Sequence, residues 1–173
     1  MNALRDAARD LLYREALFLD TQRWDDWLAL YTVDCEYWVP AWKAAHQVTE
    51  DPKREISLIH YASRAGLEDR VWRVRSGRSV ASKPLPRTQH VLSNILVESL
   101  PPDDSTTGVA ASGCVVHANW TVHQFMLKSR EVQVLFGRSE YRLVEAGRGL
   151  KIARRKTILL NDLMPAMLDF YSL

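Results

Sequence analysis

Five histidines, two cysteines and a spread of carboxylates are the groups in this 173-residue chain that could hold a metal, attack a substrate or move protons. An iron–sulfur cluster with mixed ligands needs Cys and His in paired short motifs, and a mononuclear iron site needs two His and a carboxylate converging on one face. Cys35 and Cys114 fit neither pattern. His117 and His123 fall on one side of an alternating run, but six residues at ~3.3 Å each set them about 20 Å apart, too far to share an ion. They read as a polar sheet face or a subunit contact. His60 and His90 could meet in the fold, yet no Cys or Asp-x-His pattern supplies a third ligand, so no metal site is expected. Nucleophilic catalysis lacks a Gly-x-Ser-x-Gly elbow, and Gly147-Arg148-Gly149 reads as a hairpin turn and not a phosphate loop. General acid–base work by a buried Asp or His with a displaced pKa is the strongest catalytic reading. Asp34, Tyr37, His60, His90 and Trp120 are residues of the right type for it. Against it, Asp34 stands at an expected helix-to-strand corner where a carboxylate caps amides, and Tyr37, Trp38 and Trp120 are large bodies suited to core or interface packing. The structural reading is preferred for each.

The elements that would position these residues follow from periodicity. Leu4, Ala8, Leu11, Leu12, Ala16 and Leu19 keep the three-to-four residue step of one helical stripe, predicting a helix over 3–19. Trp24, Trp27, Leu28 and Tyr31 repeat the step as a short second helix, with Asp20 and Thr21 as acceptors for its free amides. Cys35 to Val39 reads as a strand ending at Pro40, and 41–54 as loop. The stretch 55–61 fits a strand or the opening of a helix. From Ser63, Leu67, Val71 and Val74 line a helical face that Gly77 stops, and Lys83-Pro84-Leu85-Pro86 breaks regular structure. The remainder is strand: 88–99, 110–127, 132–144 and 149–161, joined by Pro101-Pro102-Asp103-Asp104, Lys128-Ser129-Arg130 and Gly147-Arg148-Gly149. Cys114, Val116, Ala118, Trp120 and Val122 alternate with Val115, His117, Asn119, Thr121 and His123, the period of a pleated strand. Helices first and an antiparallel sheet after them bury both apolar faces by wrapping the sheet round the helices, an α+β cone.

Bulk properties narrow the function classes. With 47% hydrophobic residues, the chain fits a single domain over 1–173 with its own core. A formal charge of +2 gives no reason to expect nucleic-acid binding. Two cysteines outside any redox spacing suit a reducing cytoplasm, as buried thiols. No apolar signal core opens the chain and no run approaches the ~18 apolar residues of a membrane span, so a soluble cytoplasmic protein is expected. The series Arg70, Arg73, Arg75, Arg78, Lys83 and Arg87 is either a solvated face or a set of guanidiniums for carboxylate pairing.

Four ordered segments carry a family resemblance. They are Asp34-Cys35-Glu36-Tyr37-Trp38-Val39-Pro40, Leu67 to Val71 running on to Gly77-Arg78, Arg87-Thr88-Gln89-His90-Val91-Leu92-Ser93-Asn94, and Lys156-Thr157-Ile158-Leu159-Leu160-Asn161-Asp162. Spanning nearly the whole chain, they resemble the small (β) subunit of aromatic-ring-hydroxylating dioxygenases, the Rieske non-haem iron oxygenases. The chain is most similar to the branch serving aromatic acids, such as the benzoate and anthranilate types. Small residues in Ser79-Val80-Ala81-Ser82-Lys83, where some relatives place a Trp, set it apart from the naphthalene type. The resemblance implies the cone-shaped fold of nuclear transport factor 2, shared with ketosteroid isomerase and scytalone dehydratase, and favours a strand over 55–61. It implies a non-catalytic subunit of an α3β3 hexamer, three β subunits forming a trimeric base beneath the α ring. The α subunit would carry the Rieske [2Fe–2S] cluster and the non-haem Fe(II), and a reductase would bring electrons from NADH. Within that reading Arg70, Arg73, Arg78, Arg87 and His90 are expected to dock on the catalytic partner or anchor loops of the chain. The alternatives are a stand-alone cone-fold isomerase, dehydratase or hydrolase, and a homo-oligomeric binding module.

Overall fold

The computed structural model describes residues 2–77, 84–100, 113–147, 149–161 and 168–173. The apolar stripe becomes helix α1, Asn2–Asp20, which buries Ala8, Leu11, Leu12 and Leu19. Helix α2, Trp24–Ala29, buries Trp24 and Trp27. Neither Asp20 nor Thr21 caps it, contrary to the sequence expectation. Thr21 Oγ1 instead donates to the Leu17 carbonyl at 2.6 Å, one of the open acceptors ending α1, and the Asp20 carboxylate is taken by Thr88 and His90. Gln22, at φ +55, makes the left-handed step that lets Arg23 N reach the Phe18 carbonyl at 2.8 Å.

Strand β1, Tyr31–Pro40, starts earlier than the aromatic run suggested. It takes in Tyr31, which the helical step assigned to α2, and Asp34, which has no corner to cap and lies exposed within the strand. The stretch read as loop holds a small hairpin, β2 (Trp42–Ala44) and β3 (Gln47–Val48). One long-range bond and one across its base hold it: the Trp42 indole N–H donates to the Leu159 carbonyl at 2.7 Å, and the Thr49 hydroxyl accepts from Ala41 N at 3.1 Å. Local composition could not show the first. Strand β4, Ser57–Tyr61, resolves the ambiguous stretch, and α3, Arg64–Arg75, buries Leu67, Val71 and Val74 before Gly77 turns at φ +65.

Four long strands follow: β5 (Arg87–Ser99), β6 (Gly113–Met126), β7 (Glu131–Ala146) and β8 (Gly149–Leu159). Arg78, the Ser79–Lys83 connector, the Pro101-Pro102-Asp103-Asp104 separator, Arg148 and Asp162 lie outside the described residues. One six-stranded sheet runs β4-β1-β8-β7-β6-β5, antiparallel except for the parallel β1–β8 pair. Register breaks between Ser93 and Leu96, where Asn94 adopts φ +52, and between Arg142 and Leu143 bend it. Helix α1 packs on β5 and β8, and α2 and α3 on β1, so the sheet curls round the helices as an α+β cone.

The alternation in β6 holds: Cys114, Val116, Ala118, Trp120 and Val122 are buried, while His117 is half-buried and His123 exposed on the other face. Burial pushes both free thiols, Cys35 and Cys114, up to about 11. The buried 3-10 turn Phe170–Ser172 is an element the periodicity did not announce. Phe170 stacks on Trp27 at 4.8 Å and meets Trp24 edge-on at 5.2 Å, fixing α2 against the C-terminal turn. No helix among the described residues is long and apolar enough to cross a membrane.

Gly137 on β7 shows how tightly the sheet is built. A Cβ there would stand 1.9 Å from the Ile158 carbonyl oxygen and 2.9 Å from the Trp120 ring. Gly137→Ala should therefore destabilise the chain by at least about 1–3 kcal/mol, read as a lower urea midpoint. A midpoint equal to wild type would contradict the packing.

Candidate functional site

The inside of the cone is where a pocket would have to lie, and it is occupied by the chain's own polar side chains. Glu15 stands on the apolar stripe of α1 and is 2% exposed; Arg155 on β8 is 3% exposed. Arg155 Nη1 donates to Glu15 Oε1 at 2.9 Å and Nε to Thr157 Oγ1 at 3.2 Å. Tyr31 donates its hydroxyl to the same Glu15 oxygen. The guanidinium lies 5.3 Å from the ring centre of Tyr37 and 5.4 Å from that of Tyr141. Ser139 and Thr157 share a hydrogen bond at 2.9 Å beside them.

The electrostatics of this cluster are those of a closed site. Burial alone would lower the Arg155 pKa, but the Glu15 carboxylate overrides it and holds the guanidinium charged, well above its ordinary value. Burial, reinforced by Glu15, raises Tyr31 well above 10.0, and burial pushes Tyr37 up to about 12. Tyr141 is raised in the same way. All three phenols stay neutral near pH 7, and the Tyr37 hydroxyl has no protein partner.

The other candidates are dispersed. Asp34 is exposed and bonds no amide, so it is neither cap nor buried acid. His60 and His90 occupy opposite edge strands and bind different carboxylates. His60 Nε2 lies 3.2 Å from Glu36 Oε1, while Glu36 Oε2 accepts from Arg154 Nε at 2.7 Å. His90 Nδ1 meets Asp20 Oδ1 at 2.5 Å, and its Nε2 is buried without a protein partner. Asp20 also accepts from Thr88 Oγ1 and His90 N, each at 2.9 Å. Burial pulls the Asp20 pKa up, but the hydrogen bond and charge of His90 bring it below 3.8. Trp120 is buried with its indole N–H unpaired. Among the described residues, no group of three or more His, Cys, Asp and Glu gathers where it could hold a metal ion.

The basic series divides into two groups. Arg70 forms a bidentate pair with Asp169, at 3.0 and 2.8 Å, tying α3 to the C-terminal turn. Arg75 does the same with Asp25 of α2. Arg73 faces solvent beside Asp69 at 2.9 Å, and Arg87 is exposed at the start of β5. Glu15 and Arg155 were not singled out from the sequence. The signal for Glu15 was there, a lone acid in phase with Leu11, Leu12 and Leu19; Arg155 had none, because the break at Arg142 and Leu143 resets which side of β8 faces inward.

The architecture is an α+β cone of the nuclear-transport-factor-2 type. A protein of that type with a cystatin-like fold, from Novosphingobium aromaticivorans, superimposes with a TM-score of 0.62 over 97% of this chain and 90% of its own, at 16% identity. Sequence narrows the class. The family model of ring hydroxylating beta subunits matches residues 14–166, and the chain belongs to that family. It is 41% identical to the benzoate 1,2-dioxygenase subunit beta of Acinetobacter baylyi over 92% of this chain and 88% of that one. The crystal structure of the benzoate 1,2-dioxygenase beta subunit of Burkholderia mallei shares 34% identity and a TM-score of 0.72, covering 96% of this chain and 95% of the other. The chain is thus the β subunit of an aromatic-ring dioxygenase, an oxidoreductase complex.

Two outcomes test the interior. Glu15→Ala leaves a buried guanidinium unpaired and should cost roughly 3–5 kcal/mol by urea denaturation, most of it restored in Glu15→Leu with Arg155→Met. Equal losses in the single and double variants would show that the pair is not the unit. Because the folded phenols titrate above 10.0, stability is complete below that pH and is lost as pH rises through the folded values, about 12 for Tyr37. Tyrosinate absorbance and circular dichroism should then change together in alkali; buried phenols ionising with the fold intact would contradict this.

Proposed function

We propose that this chain works as one unit, residues 1–173, and is the structural, non-catalytic β subunit of an oxygenase acting on an aromatic acid. The observation that carries the reading is the buried ion pair inside the cone. Where a cone-fold enzyme would need space for a substrate, Glu15 accepts from Arg155 and Tyr31, and the Arg155 guanidinium lies against the rings of Tyr37 and Tyr141. The benzoate 1,2-dioxygenase relatives support an aromatic acid as the substrate of the complex. Ring recognition and oxygen insertion then belong to the α subunit, which would hold the Rieske [2Fe–2S] cluster and the non-haem Fe(II). A reductase would supply electrons from NADH in the cytoplasm. The thiols in this chain do not fit the Rieske centre: its two cysteines lie on β1 and β6, with β8 and β7 between them.

In the α3β3 assembly the intramolecular pairs of Arg70 and His90 keep helices and sheet in register. Arg73, paired at the surface with Asp69, and the exposed Arg87 are the cations that would meet carboxylates of the α subunit; Arg78, expected to join them, lies outside the described residues. Co-expression with the α subunit tests both parts. The isolated chain should turn over no aromatic acid, and Arg73→Ala with Arg87→Ala should reduce recovery of the chain with tagged α subunit by about tenfold at unchanged thermal midpoint. Undiminished assembly would refute the docking role; product formed by the chain alone would refute the structural one.

A further inference from the structure

Asp169 and the buried turn Phe170–Ser172 present the chemistry of a small ligand to the rest of the chain. Asp169 is 2% exposed, and Arg70 holds both its oxygens, through Nε at 3.0 Å and Nη2 at 2.8 Å. Its Oδ1 also accepts from Phe170 N at 2.8 Å. The Phe170 ring is 1% exposed, stacked on Trp27 at 4.8 Å with Trp24 edge-on at 5.2 Å. A carboxylate clamped bidentately and a phenyl ring held by two indoles are the two halves of an arylalkanoate, supplied here by successive residues. The N, Cα and Cβ of Phe170 separate them, as the methylenes of 4-phenylbutanoate separate its carboxylate from its ring.

Two donors beside the ring are left unmet. Trp27 Nε1 and the Tyr37 hydroxyl are buried with no hydrogen-bond partner among the described residues, and the two rings stand 6.5 Å apart. Buried donors without an acceptor are costly, and the hydrocarbon ring of Phe170 offers none; a ring bearing a hydroxyl or carbonyl oxygen would. Side chains tie the turn to the fold: Arg70 on α3, Trp24 and Trp27 on α2, and Gln124 on β6, whose Oε1 accepts from Ser172 Oγ at 3.0 Å. The turn belongs to neither sheet, so it can leave without breaking a strand ladder.

We propose that Arg70, Trp24, Trp27 and Tyr37 form a binding site for an aromatic acid whose ring and carboxylate are joined by a short alkyl chain, with Asp169 and Phe170 occupying it as a tethered ligand. The tether gives the turn an effective concentration on the order of mM, against which a free acid must compete. Hydrogen exchange of the full-length wild-type chain reads the displacement. With about 10 mM 4-phenylbutanoate, the amides of Phe170 and Ser172, both bonded to Asp169, should exchange at least about tenfold faster while those of β6 keep their rate. The neutral 4-phenylbutanol should leave both unchanged. Asp169→Asn with Phe170→Ala vacates both halves of the site. By isothermal titration this variant should bind the acid at least about tenfold more tightly than wild type does, and about tenfold more tightly than it binds the alcohol; adding Arg70→Gln should abolish that preference. Wild-type exchange that ignores the acid would overturn the proposal, and decides alone if the variant does not fold. A folded variant that binds acid and alcohol alike, or is indifferent to Arg70→Gln, would overturn it equally.

Discussion

A guanidinium held charged in the middle of the cone is the constraint on which the rest of this structure depends. Arg155 on β8 and Glu15 on α1 are separated by most of the chain yet bond at 2.9 Å, nearly sealed from solvent. Neither could be buried alone, because an unpaired charge in a medium of low dielectric is far less stable than in water. The pair therefore requires α1 to lie in one register against β8. Tyr31 closes on Glu15 from β1, Thr157 accepts from Arg155, and the rings of Tyr37 and Tyr141 flank the cation, so each residue is set by the others. The inside of the cone is thereby given a charged, hydrogen-bonded core.

Interactions nearer the surface act as ties around that centre. Asp20 with His90 joins the end of α1 to β5, and Arg70 with Asp169 joins α3 to the C-terminal turn, each partly shielded from water. Pairs such as Arg73 with Asp69 or Arg14 with Asp10 are more than half exposed and add little to stability. Helices and sheet are thus held rigidly from within, which frees the outside to be shaped for other proteins. For a subunit with the proposed task of keeping its neighbours in place, a stiff body matters more than a cavity.

Periodicity made most of the fold legible. The stripe of α1, the alternation of β6 and the apolar face of α3 each bury the residues their spacing assigned, since one-sided burial is what those periods encode. The failures share a cause. Tyr31 and Asp34 were misplaced because the aromatic step of α2 runs on without interruption into β1, and the β2–β3 hairpin was missed because Trp42 finds its acceptor on β8. Asp20 answers a demand from β5 that outweighs its local suitability as a cap. The candidate site was the least legible part: of the acid–base candidates Asp34, Tyr37, His60, His90 and Trp120, Tyr37 lies in the buried polar centre, whose charges are Glu15 and Arg155. A charge in phase with an apolar stripe was the clue for the first. Sheet bulges hid the second.

The phenol of Tyr37 is the most direct probe of whether this interior takes part in chemistry, since it is fully buried, neutral and free of any protein partner. Tyr37→Phe removes that oxygen while leaving the ring beside Arg155. Steady-state turnover of the aromatic acid by the assembled oxygenase carrying this variant is the decisive measurement. The account predicts full assembly and a rate equal to wild type. An intact complex that has lost its turnover would contradict it.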